Sequence, residues 1–319
     1  MKLLLIGGSK SGKSHLAQDL TVGLSGQGRH FYIATMIPRD DEDLERIRLH
    51  LLDRSGMGFE TIEAGRGVTS VLETDGGRGA YLLDSLTALY SNEMFHDGQV
   101  DTEAAHRMTS DMEELIQHTE HLVMVADDIY KDAVSFDDFT DDYRKGLSAI
   151  TCRCAALSDV VIEMTGRSCV FLKGNTDMLA EHNIKIEELI PDHKDGYRIR
   201  ELVIGGAFQG QCDYLKNKYD LTDEDICYCS SEEEPDFTKK ALVDLENYLR
   251  FCLENDHEPK TDFCDGCLIA WNDVSCGVVP LDPKDRAFRE MAGRYLSRLA
   301  PDAALITKMT AGIPVTLKG

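Results

Sequence analysis

The sequence lacks any apolar run approaching the roughly 20 residues that a membrane-spanning helix needs, which excludes an integral membrane protein. Its first apolar stretch, residues 1–6, ends at Gly7, short of the roughly 7 to 15 residues of a signal-peptide core. We therefore interpret this stretch as a buried strand. With no export signal predicted, the ten cysteines are expected to be reduced thiols of a cytoplasmic protein.

Positive charge is also scarce. The chain has 34 Lys and Arg against 57 Asp and Glu, a formal net charge of -23, which repels nucleic acid and anionic lipid. Neither a nucleic acid nor a membrane surface is therefore expected as a partner. Low-complexity segments are absent, and 42% hydrophobic residues are typical of a globular protein. A length of 319 residues favours two domains.

Two parts of the sequence repeat one another. Residues 4–14 recur as 202–212, an apolar run followed by the same glycine spacing. Residues 128–174 match 273–319 without gaps, and both stretches end in Leu-Lys-Gly. The sequence thus predicts a first unit at 1–173, a polar connector at 174–197 and a shortened second copy at 198–319.

Within each copy, short apolar runs alternate with stretches of helical spacing. Tyr32–Ala34 and Leu122–Val125 are predicted as buried strands, and Thr102–His118 and Arg286–Leu299 as helices. Alternating strands and helices favour an α/β fold whose mostly parallel sheet is flanked by helices.

The most specific local motif is Gly7-x-x-x-x-Gly12-Lys13-Ser14, which lies between a predicted strand and a predicted helix. Its glycines let backbone N–H groups surround phosphate oxygens, Lys13 reaches the β- and γ-phosphates, and the Ser14 hydroxyl binds Mg²⁺. The motif predicts nucleotide binding and a P-loop NTPase-like (RecA-like) fold. The predicted loop contacts are Gly7, Gly8, Ser9, Lys10, Ser11, Gly12, Lys13 and Ser14.

Asp84 follows the apolar run of residues 80–83, where P-loop proteins place an acid that holds Mg²⁺ or its waters. The alternative is that Asp84 only caps the next turn. Arg46, His50 and Arg54 lie four residues apart, on one face if the segment is helical. That face presents an imidazole between two cations, although a surface histidine and ordinary ion pairs would give the same spacing.

Two further groups of residues have metal-ligand character. The acidic pairs at 127–128, 137–138 and 141–142 could gather a divalent cation, or form a solvated face. Cys227-x-Cys229 with Cys264-x-x-Cys267 could form a zinc site, or remain buried thiols.

The order of motifs resembles a known family. The first copy carries Gly-Gly-x-x-Ser-Gly-Lys-Ser, Ala34-Thr35, Arg46-Ile47-x-x-His50, Thr61-Ile62-Glu63, Leu83-Asp84-Ser85-Leu86-Thr87 and Asn92. This series resembles the bifunctional adenosylcobinamide kinase and adenosylcobinamide-phosphate guanylyltransferase of cobalamin biosynthesis. The resemblance covers the whole first copy.

The resemblance implies that His50 takes GMP from GTP as a phosphoramidate, and that ATP or GTP, with Mg²⁺, phosphorylates adenosylcobinamide. The product of both reactions is adenosylcobinamide-GDP. Besides the P-loop, the nucleotide would contact residues matching Ala34, Thr35 and Met36, the segment after the histidine, and two acids. The segment and acids correspond to Leu51, Leu52, Asp53, Arg54, Glu63 and Asp84.

The two copies divide another family motif, Asn-Glu-Val-Gly-x-Gly-Ile-Val-Pro. The second copy keeps most of it at 272–280, whereas the first copy, at 127–135, has lost both glycines and the proline. Conversely, the second copy has Gln211 and Cys212 in place of the P-loop Lys and Ser. We therefore predict that the lobes pack together into a composite site bordered by Asn272, Asp273, Gly277 and Pro280; a tight turn remote from any ligand is the alternative. A nucleotide-binding or corrinoid-binding pseudoenzyme, a kinase without transferase activity, and a homo-oligomer all remain open.

Overall fold

The computed structural model describes residues 1–131, 136–190 and 196–319. Each of the two lobes is built on its own mostly parallel sheet with helices on both faces, which confirms the predicted α/β architecture. Among the described residues, no helix combines the length and apolarity that crossing a bilayer would demand.

The first lobe begins with the apolar stretch that the sequence predicts as a strand. Its strands are β1 Lys2–Gly7, β2 His30–Ala34, β3 Glu60–Glu63, β4 Ala80–Asp84, β5 Phe95–His96, β6 Gln99–Val100, β7 His121–Asp127, β8 Val160–Thr165 and β9 Ser168–Lys173. Its helices are α1 Lys13–Ser25, α2 Asp41–Asp53, α3 Leu72–Asp75, α4 Leu86–Met94, α5 Ala104–His118 and α6 Asp138–Leu157.

The large sheet of this lobe has the order β3-β2-β4-β7-β1-β8-β9 among the described residues. All neighbouring strands run parallel except β8 and β9, which form an antiparallel hairpin. The central strands are apolar on both faces because helices cover both: Leu4 packs into one core cluster, and Leu3 and Leu5 pack into the other. The carboxyl ends of β1, β4 and β7 therefore meet at one edge of the sheet.

The described part of the connector, 174–190 and 196–197, contains the short helices α7 Thr176–Ala180 and α8 Ile186–Leu189. Pro191, Asp192, His193 and Asp195, which the sequence assigns to the connector, lie outside the described residues. The second lobe follows. Its strands are β10 Ile199–Gly205, β11 Ile226–Tyr228, β12 Ala241–Val243, β13 Cys267–Asn272, β14 Ala303–Thr310 and β15 Ile313–Lys318, and its helices are α9 Gln211–Tyr219, α10 Glu246–Glu254 and α11 Pro283–Leu299.

The described strands of the second sheet have the order β11-β12-β13-β10-β14-β15, with only β15 antiparallel to its neighbour. The register of this sheet matches that of the first. Gly7 lies opposite Asp127 and Met164, and Gly205 lies opposite Asn272 and Met309. Each glycine is the last residue of its strand and is followed by a loop and a helix.

Candidate active site

A cavity of about 750 Å³ lies at the carboxyl edge of the first sheet and is closed on one side by the second lobe. Open α/β sheets usually bind ligands at this edge. The cavity wall comprises Ser9, Lys10, Ser11, Gly12, Lys13, Ser14, His15, Met36, Arg46, Leu49, His50, Asp53, Asp84, Ser85, Val125, Asp127, Arg167, Glu290, Arg294, Ser297, Arg298 and Pro301.

The loop between β1 and α1 forms the floor of the cavity. Gly12 has φ 94°, a left-handed conformation that glycine adopts without steric cost, and α1 begins at the next residue. Lys13 is buried, and its ammonium donates to the Gly8 carbonyl at 2.7 Å and pairs with the Asp127 carboxylate at 3.0 Å. Burial alone would raise the pKa of Asp127, but Lys13 and the nearby Arg289 lower it overall. The loop thus holds the buried Lys13 ammonium. Its partner, Asp127, is not part of the P-loop sequence motif.

Asp84 ends β4 and faces the same cavity as Ser14. Its carboxylate accepts a hydrogen bond from the Tyr32 hydroxyl at 3.0 Å, which fixes its position. Magnesium in nucleotide sites is commonly bound by one or two protein oxygens together with the phosphates. One hydroxyl and one carboxylate on a wall beside a phosphate-binding loop therefore fit such an ion.

His50 lies on α2, which starts where the Asp40 side chain accepts from the Asp43 N–H. The His50 ring lines the cavity, and its Nδ1 atom is buried without a hydrogen-bond partner. Burial lowers the pKa of His50, with Asp84 opposing and Lys10 reinforcing that change. A lowered pKa favours the neutral imidazole, which is the form that a nucleophile requires.

Arg46 and His50 both line the cavity, whereas Arg54 is absent from its wall. Arg54 follows the end of the helix, only 8% exposed, with its guanidinium 4.0 Å from the centre of the Tyr32 ring and bonded to the Thr61 hydroxyl. Arg54 still lies near His50, whose carbonyl accepts from the Arg54 backbone N–H and whose pKa it helps to lower, but its guanidinium is directed to Tyr32.

Of the remaining residues implied by the family resemblance, some line the cavity and others do not. Met36 and Asp53 line the cavity. The others are absent from its wall: Gly7 and Gly8 are buried, Ala34 is half-buried, Thr35 is fully buried and bonded to Ser85, and Leu51, Leu52 and Glu63 are exposed.

The predicted composite-site loop, 272–280, touches the P-loop through its backbone. The Ser275 carbonyl accepts from the Ser9 N–H at 2.8 Å, and the Gly277 N–H donates to the Asp128 carbonyl at 2.8 Å. The Asp273 carboxylate accepts from the backbone N–H of Ser275 at 3.0 Å and also from its hydroxyl. The loop thus lies beside the P-loop, while Asn272, Asp273, Gly277 and Pro280 are absent from the cavity wall. Residues 132–135 of the matching segment in the first lobe lie outside the described residues.

Sequence reasoning missed the second lobe's main contribution to the cavity, which comes from α11. Glu290, Arg294, Ser297 and Arg298 line the cavity, and Glu290 pairs with Arg46 of the first lobe at 2.5 Å. The spacing of 290, 294, 297 and 298 places them along one helical stripe, but the sequence does not indicate what that stripe faces. Arg167, in the turn between β8 and β9, was missed as well.

The second lobe's glycine-rich loop repeats the geometry of the first without its charge. The Gln211 side-chain amide donates to the Gly206 carbonyl at 2.8 Å and to the Asn272 side chain at 3.1 Å. These contacts match those of Lys13 with Gly8 and Asp127, one for one. Neutral amide groups therefore replace the ion pair.

Neither metal-ligand alternative is present within the described residues, where no three His, Cys, Asp or Glu side chains converge on a common point. Cys227 and Cys267 lie on β11 and β13, with β12 between them, and burial raises the pKa of the Cys229 and Cys267 thiols. Acidic side chains of the predicted pairs contact neighbouring residues instead of a shared ion: Asp137 caps α6, Asp141 pairs with Arg144, and Asp142 pairs with Lys145.

Comparison with known proteins gives one family. The model described as cobinamide kinase / cobinamide phosphate guanyltransferase matches residues 3–170. Comparison with curated proteins finds no match. Among solved structures, the chain is similar to the flagellar accessory protein FlaH from Methanocaldococcus jannaschii, with 16% identity and a TM-score of 0.32, covering 56% of this chain and 80% of that one.

Proposed function

The chain belongs to the cobinamide kinase / cobinamide phosphate guanyltransferase family, and we propose that its first lobe catalyses both reactions of that description. One observation carries the proposal: the P-loop Lys13 and His50 line the same cavity. A kinase step requires the first residue and a covalent nucleotidyl transfer requires the second.

In the kinase step, the aminopropanol hydroxyl of adenosylcobinamide attacks the γ-phosphorus of ATP or GTP, and the nucleoside diphosphate leaves. Lys13 stabilises the charge of the β- and γ-phosphates, and the backbone N–H groups at the start of α1 orient them. Ser14 and Asp84 would hold Mg²⁺, which neutralises phosphate charge when it is bound with the nucleotide.

In the transferase step, an imidazole nitrogen of His50 attacks the α-phosphorus of GTP, and pyrophosphate leaves. The phosphate oxygen of the phosphorylated corrinoid then attacks the same phosphorus and releases the imidazole, giving adenosylcobinamide-GDP. Burial of His50 supports this role, because an imidazole with a lowered pKa keeps its lone pair at neutral pH.

We further propose that the chain arose by duplication, and that the second lobe now completes the first lobe's site. Three observations support this view: the common strand order, the common register at Gly7 and Gly205, and the gapless match of 128–174 to 273–319. In the second lobe Gln211 takes the place of Lys13, and Val243 takes the register position of Asp84. That lobe has therefore lost both the charge and the carboxylate of a nucleotide site.

The test is incubation with adenosylcobinamide, ATP and GTP, followed by product masses and by labelling from GTP carrying a radioactive α-phosphate. The wild type should form adenosylcobinamide-GDP and acquire an acid-labile, base-stable label. His50→Ala should stop at the corrinoid phosphate and remain unlabelled. His15→Ala is the matched control, because His15 is exposed on the same cavity wall. This variant should retain both activities.

A label that disappears in His15→Ala but persists in His50→Ala would assign the nucleophile to the other histidine. Corrinoid phosphate as the only wild-type product would reduce the function to a kinase. Nucleotide binding without either product would identify a binding protein.

A further inference from the structure

The charge of the cavity wall is opposite to that of the chain. Six Lys or Arg and four Asp or Glu line it, whereas the whole sequence has 34 basic and 57 acidic residues. Such a concentration of cations in a strongly acidic protein indicates an anionic ligand. The basic residues are Lys10, Lys13, Arg46, Arg167, Arg294 and Arg298.

Four of these cations already have carboxylate partners. Lys13 pairs with Asp127, while Lys10, Arg46 and Arg294 share Glu290 at 3.9, 2.5 and 2.8 Å. Arg167 and Arg298 have no carboxylate partner in the part of the chain that the structure describes. A guanidinium group presents a fork of N–H donors that matches two phosphate oxygens, so these two side chains are free to bind a phosphate-bearing ligand.

Arg167 is fixed beside the P-loop. Its backbone N–H donates to the Ser11 carbonyl at 3.0 Å, and its φ of 61° places it in the left-handed region. A Cβ atom added at Gly12 would lie 3.1 Å from the Arg167 Cγ, so the side chain passes directly over Gly12.

Arg298 reaches the same loop from the second lobe. The adjacent Ser297 hydroxyl donates to the Lys10 carbonyl at 2.6 Å. One turn earlier, Gly293 packs so closely on the Ser9 carbonyl that a Cβ would lie only 2.2 Å from its oxygen. Helix α11 is thus held against residues 9–10 of the P-loop, with Arg298 exposed on the cavity wall.

We propose that Arg167 and Arg298, one from each lobe, bind the β- and γ-phosphates of the nucleotide held by the P-loop. This inference rests on the proposed function, and it assigns the second lobe a direct part in nucleotide recognition. The two copies differ in residue type at the first position and in side-chain partner at the second. Gly312 matches Arg167, and Arg153, which matches Arg298, pairs with Glu113 on the surface of the first lobe.

The test compares GTP and GMP affinities by calorimetry for the full chain and for Arg167→Gln and Arg298→Gln. Each substitution removes a charge-assisted contact and should weaken GTP binding about tenfold. GMP binding should stay unchanged because GMP lacks the β- and γ-phosphates. Arg153→Gln is the matched control and should bind GTP like the wild type. Arg298→Lys should recover part of the lost affinity, and unchanged melting temperatures would show that each variant is folded.

The outcomes separate this inference from the proposed function. Unchanged GTP affinity in both glutamine variants, with loss in Lys13→Gln, would overturn the arginine pair and leave the proposed function standing. Equal losses of GMP and GTP affinity would also overturn it. So would variants that bind GTP normally and lose affinity only for the corrinoid phosphate. If the two glutamine variants bind GTP more weakly while the wild type forms no corrinoid product, the result would support the arginine pair and reject the proposed function.

Discussion

At the scale of single residues, Lys13 and Gln211 differ in charge while making equivalent contacts. Each donates from the first position of its helix to the carbonyl of the second glycine, and each meets the last residue of a neighbouring strand, Asp127 or Asn272. The lysine and aspartate form an ion pair, whereas the glutamine and asparagine form a neutral hydrogen bond. A buried cation without its anion, or the reverse, would be costly, so the paired replacement keeps the loop intact without charge.

The protonation state of His50 gives a prediction at the same scale. Its pKa is lowered from 6.5, first by burial, so the folded protein binds fewer protons at this site than an unfolded chain. We expect the ring to be more than half neutral at pH 6.5 and its contribution to stability to be lost as the pH falls below that value. An NMR titration of the histidine ring protons, with His50→Ala to assign the signal, measures this pKa. A midpoint at or above 6.5 would contradict the burial argument.

At the scale of elements, helix α11 determines how the lobes meet. Its buried side chains, among them Phe288, Tyr295 and Leu296, pack into the core of the second lobe. Its small residues face the other way, toward the P-loop: Gly293 contacts Ser9 and Ser297 bonds to Lys10. The helix is thus both a core element of one lobe and a wall of the other lobe's cavity.

Gly293→Ala tests this contact. The added methyl group would lie 2.2 Å from the Ser9 carbonyl oxygen, a backbone atom that cannot move without shifting the P-loop or α11. We expect nucleotide affinity to fall at least tenfold, although the substitution lies outside the first lobe. Gly206→Ala is the control, because the nearest atom to its added Cβ, outside its chain neighbours, is 3.7 Å away. Equal GTP affinities for the two variants by calorimetry would show that the α11 contact does not position the loop.

At the scale of the whole molecule, two lobes of common topology should bind a single nucleotide. The second lobe has Gln211 in place of the P-loop lysine, Cys212 in place of the magnesium-binding serine, and Val243 at the register position of Asp84. We expect calorimetric titration of the full chain with ATP or GTP to give one magnesium-dependent site. The double variant Lys13→Gln/Asp127→Asn should abolish this site and stay folded, because it copies the Gln211–Asn272 pair of the second lobe. Two sites in the wild type, or one remaining in the double variant, would show that the second loop is functional.

The sequence alone determined features that depend on residues close together in the chain. The P-loop follows from the spacing of Gly7, Gly12 and Lys13, because a strand, a glycine turn and a helix start are local structures. The parallel α/β architecture follows from alternating apolar strands and amphipathic helices, and family membership follows from the order of motifs.

Only the tertiary structure decided which distant side chains share the cavity. Glu290 meets Arg46 across 244 residues, and no local pattern encodes that contact, since it depends on how the two cores orient α11. The same reason explains two points that the sequence left open: the Arg54 guanidinium stacks on Tyr32 where α2 ends, and β12 separates the strands that carry Cys227 and Cys267. Periodicity places a residue on a face of its element, whereas packing between elements determines what that face contacts.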